Sequence, residues 1–180
     1  MKGAIERIAD VFHLPFTYER AEKSYLHPGV SANVLLDGKA VGCFGELDPS
    51  IALSLGLDKK VYLGELDIAA IAGRMDDGIR YTNLPRFPAV QRDLALIADE
   101  KLTCAEIEEV LTHSCKYVTA AKLFDVYRGG QVPAGKKSMA FTLTFTPDQN
   151  VEKAFTPETL DGYVKKILGN LSHKLGVELR

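Results

Sequence analysis

The chain is predicted to be α+β in two halves, each built on an antiparallel sheet. Three observations carry that expectation. Period-two alternation of apolar and polar residues marks strands on both sides of a break. Apolar residues at helical spacing, with capping residues ahead of them, mark a few helices. The break is GRMDDGIRYTNLPRFPAV, residues 73–90, where two glycines, two prolines and clustered charges interrupt every periodic pattern. We therefore expect a first half over residues 1–73, a linker over 74–88 and a second half over 89–180.

The first half opens with an amphipathic helix on which Ile5, Ile8, Val11 and Phe12 recur at helical spacing. FTYER follows as a short strand, and a turn is expected around His27, Pro28 and Gly29. SANVLLDGKAVGCFGELD reads as a hairpin, because Asp37 and Gly38 can take the positive φ that a two-residue turn requires. Asp48 offers a side-chain acceptor and Pro49 a preset φ, so a helix starts there and runs to about Leu55. VYLGELDI closes the half as a strand.

In the second half QRDLALIA is a strand, and Thr103 and Glu106 stand at capping-box spacing before a helix with Ile107, Val110 and Leu111 on one face. Two strands follow within KLFDVYRGGQVPAGKKSMAFTLTF. Thr156 and Pro157 begin a second helix whose stripe is Leu160, Val164, Ile167, Leu168 and Leu171, with Gly176 at its end. VELR is a final short strand. The order βαββαβ is ferredoxin-like: both helices cover one face of a four-stranded antiparallel sheet.

Alternation along a strand assigns each side chain to a face. Met139, Phe141, Leu143 and Phe145 are large and apolar and face the helices, so Ser138, Ala140, Thr142 and Thr144 line the other surface. By the same rule Phe124, Val126, Leu94 and Leu96 point inward, and Leu123, Asp125, Tyr127, Asp93, Ala95 and Ile97 point outward. The open face then holds one aromatic ring among small, hydroxylated and acidic neighbours. Such a surface suits an unstacked base: the ring stacks it and the polar groups read its edge. Arg128, Lys136 and Lys137 on the connecting loop could hold phosphates. From pattern alone, a protein interface, and after it a plain solvated face, accounts for such a surface more readily than a nucleic-acid site.

Composition sets the limits. With 46% hydrophobic and 26% charged residues the chain resembles ordinary globular proteins, and no apolar run approaches the roughly 20 residues of a membrane helix. The charged first residues lack the apolar centre of a secretory signal, which predicts a cytoplasmic protein. Cys43, Cys104 and Cys115 have no CxxC spacing, arguing against a disulfide framework and against a metal site. The net charge is −2: residues 1–80 balance at −3 and residues 81–180 at +1, so any nucleic-acid site must rely on stacking and local geometry.

LPRFPAVQRDLALIAD followed by KLFDVYRGGQVPAGKKSMAFTLTF resembles the anticodon-binding domain that ends the beta subunit of bacterial phenylalanyl-tRNA synthetase. YLHPGVSANVLLDGKAVGCFGELDP resembles the closing segment of the non-catalytic, catalytic-like module before it. The resemblance covers nearly the whole chain and implies a C-terminal fragment of a longer subunit. It implies that Ala95, Asp125, Tyr127 and Ser138 contact the anticodon of tRNA(Phe), with Tyr127 stacking on a base. Arg128, Lys137 and Arg180 are further candidate tRNA contacts, on the connecting loop and chain end, which vary in the family. It further implies that ATP and magnesium are used by the alpha subunit, in an alpha2beta2 assembly, and that the fragment has no cofactor or catalytic residue of its own.

The residues agree with that last expectation. There is no GxGxxxR run, no glycine-rich phosphate loop, and no set of nucleophile, base and orienting group. His27 reads as a turn histidine, and Glu46 and Glu65 as solvated or interface acids. The alternative function is a structural module at a subunit interface, with its open sheet face covered by protein. Regulation by a small molecule finds no supporting signal.

Overall fold

The computed structural model describes residues 1–74, 81, 83–148, 151 and 153–180. The chain divides into two compact units, Met1–Tyr81 and Thr82–Arg180. Of the linker expected over 74–88, residues 75–80 and 82 lie outside the described residues.

In the first unit, helix α1 (Lys2–Phe12) precedes strands β1 (Phe16–Arg20), β2 (Leu26–Leu36) and β3 (Lys39–Leu47). Helix α2 (Pro49–Ser54), strand β4 (Tyr62–Leu66) and helix α3 (Ile68–Ala72) complete it. The strands pair antiparallel in the order β1-β2-β3-β4. Ile5 of α1 is buried in a cluster with Leu14, Val34, Leu36, Val41, Phe44 and Ile71, and Ala9 and Phe12 pack against it. Val11, expected on that stripe, is 56% exposed. At 100° per residue it falls well off the line through 5, 9 and 12. The β2–β3 turn has the expected chemistry, with Asp37 and Gly38 at φ 51° and 77° between the paired Leu36 and Lys39.

Two other elements of this unit differ from expectation. His27, Pro28 and Gly29 lie inside β2 and not in a turn, where pairing with β3 skips between Leu26 and Ser31. The Gly29 N–H donates to His27 Nδ1 at 3.0 Å, which partners a donor the interrupted ladder leaves out. Helix α3 was not anticipated. Asp67 caps it by accepting from the Ala70 N–H at 3.0 Å, and its Ile71 is fully buried. Helix α2 starts as expected, with Asp48 accepting the Ser50 N–H at 2.9 Å.

In the second unit, β5 (Val90–Asp99), α4 (Cys104–His113), β6 (Val118–Tyr127), β7 (Lys136–Phe145), α5 (Pro157–Leu175) and β8 (Glu178–Leu179) follow in the βαββαβ order. The sheet order is β6-β7-β5-β8, antiparallel throughout, so the hairpin β6–β7 is joined to β5 through β7. Thr103 and Glu106 form the capping box in both directions, and Gly176 ends α5 in the left-handed region at φ 62°.

The core lies between the sheet and the helices. Met139, Phe141, Leu143 and Phe145 meet Leu94 and Leu96 of β5, Ile107 and Leu111 of α4, and Ile167 and Leu171 of α5. Burying each large side chain of this set contributes about 1.5–3 kcal/mol. The helices are also joined by polar groups, as Asn170 donates to the Ser114 hydroxyl at 3.0 Å and that hydroxyl donates to the Val110 carbonyl at 2.6 Å. With the apolar residues of β5 and β7 committed to the helices, their alternate residues occupy the opposite face.

Candidate nucleic-acid interface

The sheet register sets the outward residues in rows. Ala95 of β5, Ala140 of β7 and Asp125 of β6 stand opposite one another in one row, and Ile97, Ser138 and Tyr127 in the next. Asp93, Thr142 and Lys122 form the row on the other side of Ala140. The four residues singled out in the sequence, Ala95, Asp125, Tyr127 and Ser138, therefore fall in two adjacent rows. The alanines make a low floor between Asp125 and the β8 edge.

Reaching that arrangement required a feature the alternation did not reveal. Pairing of β6 with β7 skips between Leu123, opposite Phe141, and Asp125, opposite Ala140. Phe124 is thus an inserted residue, a β-bulge, and the two faces exchange phase there. Leu123, expected outward, packs against the core, whereas Phe124, expected inward, is 57% exposed. Beyond the bulge the phase is the expected one, with Val126 opposite Met139 and Tyr127 opposite Ser138. Val126 is nonetheless exposed, at the end of an edge strand.

Tyr127 is 39% exposed. Its phenol end lies so close to Gly129 that a Cβ on residue 129 would come within 2.7 Å of the ring carbon Cζ, so glycine is the residue that leaves the ring this position. The Arg180 guanidinium sits over the ring, with Cζ 5.4 Å from its centroid. Asp125 is exposed and has no side-chain hydrogen bond or ion pair among the described residues, which leaves both carboxylate oxygens available as acceptors. Ser138 departs from expectation in exposure: at 4% it is buried, flanked by Tyr127 on β6 and Ile97 on β5.

Of the three expected loop cations, Lys137 and Arg128 are committed within the protein, whereas Lys136 has no side-chain partner among the described residues. Lys137 is buried at 8% exposed, and its ammonium donates to the carbonyl oxygens of Leu102 at 2.6 Å and Glu100 at 3.0 Å. A charge spent on backbone carbonyls is not placed to hold a phosphate, and the odd number of the residue, in phase with Met139, is the signal that could have shown this. Arg128 donates through Nε and Nη2 to Glu100 Oε1, both at 2.9 Å. The Glu100 N–H donates to the Gly135 carbonyl at 2.9 Å, so this one residue ties the 128–137 connection in three places, at Arg128, Gly135 and Lys137. Lys122, not singled out in the sequence, is the exposed cation of the outward rows and has no side-chain partner among the described residues. Thr142 in its row donates to Asp93 Oδ1 at 2.6 Å.

In the first unit Glu46 and Glu65, expected as solvated or interface acids, serve separate partners. Glu46 is buried on the Lys60 ammonium at 3.1 Å, and this contact raises the lysine above its ordinary range. Glu65 accepts from the Tyr25 hydroxyl at 2.6 Å and from the Cys43 thiol at 3.2 Å. Those bonds hold its carboxyl below the usual range, and the bonds to Cys43 and Glu65 push the Tyr25 phenol up. Burial raises the Cys43 thiol, so no activated nucleophile results.

Residues 85–180 match the family model described as the ferredoxin-fold anticodon binding domain. The chain belongs to that family. Residues 1–68 of this anticodon-binding-domain protein match a second model, the CLM domain of the phenylalanyl tRNA synthetase beta chain. It is 37% identical over 165 residues to the phenylalanine–tRNA ligase beta subunit of Halalkalibacterium halodurans, covering 91% of this chain and 20% of that protein. The same subunit of Geobacillus kaustophilus is 34% identical over 182 residues, 99% of this chain and 22% of the relative. That of Bacillus subtilis is 33% identical over 183 residues, covering 100% and 22%. The chain thus spans about a fifth of the length of these curated relatives. No helix among the described residues is long and apolar enough to cross a membrane.

Proposed function

We propose that the second unit recognises the anticodon region of tRNA(Phe) within a cytoplasmic phenylalanine–tRNA ligase, as the non-catalytic arm of a beta subunit. Aminoacylation, with its ATP and magnesium, belongs in this reading to an alpha subunit in an alpha2beta2 assembly. One observation carries the reading: the outward rows put a half-exposed aromatic ring, a free carboxylate and an alanine floor on one bare sheet face. Tyr127 stacks a base, Asp125 accepts from an exocyclic amine or ring N–H, Ser138 adds a short-range hydroxyl, and Ala95 leaves room for the base to lie flat. Lys122 takes the phosphate role that Arg128 and Lys137 are not free to take.

The test is Tyr127→Ala in the full ligase, read by filter binding of tRNA(Phe). Loss of one stacked base weakens binding by about 1–3 kcal/mol, while phenylalanine activation is unchanged. Unaltered tRNA affinity would exclude the stacking role.

A different observation favours a second role for the first unit. Leu53 is 79% exposed and Ile68 60%, and Leu55 and Tyr62 are exposed as well. Apolar side chains of this size left to water suit contact with protein, and in this reading the first unit joins subunits. Leu53→Asp should then weaken subunit association in analytical ultracentrifugation without changing tRNA affinity per assembled enzyme.

A further inference from the structure

Resting on the proposal that a base stacks at Tyr127, the Arg180 side chain adds a second element to that site. The guanidinium is held over the ring from both ends. Its backbone N–H donates to the Ala95 carbonyl at 2.8 Å, which fixes where the side chain departs, and Nη2 donates to Gln131 Oε1 at 2.6 Å. Between these anchors the side chain spans from the β8 edge to the Tyr127 ring on β6. Arg180 is exposed and has no acidic partner among the described residues. Neither an ion pair nor burial explains its placement, and the contacts that do are the ring and the amide.

A guanidinium is planar, weakly hydrated and able to stack on a π face, and the same properties let it stack on a nucleobase. We propose that Arg180 is the second wall of a base slot, so that a nucleobase enters between the guanidinium and the Tyr127 ring and is held on both faces. A base held on both faces needs two contact distances, about 7–8 Å, between the walls, so the slot, with Cζ now 5.4 Å from the ring centroid, must open by roughly 2 Å. A long side chain tethered at its tip to a loop residue can supply that opening while the sheet stays fixed. Gln131 is then a positioning residue, since it acts by holding the guanidinium. The wall differs from a phosphate contact, which needs only charge, and from a lid, which must leave before the base arrives.

The experiment uses the full ligase and tRNA(Phe) carrying the fluorescent base 2-aminopurine at each anticodon position in turn. In the unaltered enzyme one position is quenched on binding. Arg180→Ala should weaken binding roughly five- to twentyfold and leave that position partly unquenched, and Arg180→Lys should restore neither, because an ammonium lacks the planar face. Gln131→Ala should give a smaller loss in the same direction. Arg180, Gln131 and their substitutes lie at the surface, and an unchanged melting temperature checks the fold. Binding by Arg180→Ala equal to or tighter than the parent overturns the second wall, and so does full rescue by Arg180→Lys. Tyr127→Ala separates the two ideas. If it is without effect, the stacking site itself is wrong; if it weakens binding and Arg180→Ala does not, the second wall alone is wrong.

Discussion

The Lys137 ammonium donates to the Leu102 carbonyl oxygen at 2.6 Å, tying the start of β7 to the connection that leads into α4. A basic residue in a glycine-rich connection invites a reading as a phosphate ligand, yet here the charge stabilises the fold. Lys137→Met, which keeps the side-chain volume and removes the donors, should destabilise the second unit by about 1–3 kcal/mol in denaturant unfolding, because two part-buried backbone carbonyls lose a charged partner. The salt dependence of tRNA binding should not change. Lys122→Ala should do the reverse: the melting temperature holds, and the slope of log affinity against log salt falls by about 0.7–0.9, the share of one phosphate contact.

Gly129 makes a different prediction, because the atoms that a new Cβ would meet belong to the Tyr127 side chain and not to backbone. The half-exposed ring can move aside, so Gly129→Ala should leave thermal stability nearly intact. What moves is the stacking surface. The variant should lose tRNA affinity in the same filter-binding measurement as Tyr127→Ala, and by less, since a displaced ring still offers a face.

The capping box of α4 makes the second unit sensitive to acid. Hydrogen bonds from the Thr103 hydroxyl and N–H hold the Glu106 carboxyl below its ordinary value of 4.5. The unfolded chain therefore binds the proton more readily than the folded one. The stabilisation is complete above about pH 4.5 and is lost as pH falls through the lower folded value. Melting temperatures measured from pH 6 to pH 3 should fall less steeply for Glu106→Gln than for the parent.

Much of this architecture was legible because local signals agree with one another. Met139, Phe141, Leu143 and Phe145 alternate without interruption, so the face of β7 follows from sequence alone, and Thr103 with Glu106 or Asp37 with Gly38 are short-range devices whose partners lie within three residues. What escaped reading has physical causes of its own. Helix α3 is five residues long, too short for a period of 3.6 to show. Lys137 reads as a loop residue beside the glycines of the connection, whereas β7 already begins at Lys136. The Arg180 guanidinium reaches the Tyr127 ring from 53 positions away in the chain, and no local pattern announces such a meeting. KLFDVY can be divided between inside and outside in either phase, since Leu, Phe and Val supply an apolar residue whichever way it is read.

The inserted Phe124 has a consequence for how this strand can change. Removing that single residue would leave Leu123 opposite Phe141 and Asp125 opposite Ala140 in an unbroken ladder, with every other residue of β6 keeping its partner and its face. The extra residue therefore supplies bend and added twist to an edge strand, and not the sorting of its neighbours. Curvature is what a deletion there would erase, while the outward rows would survive it.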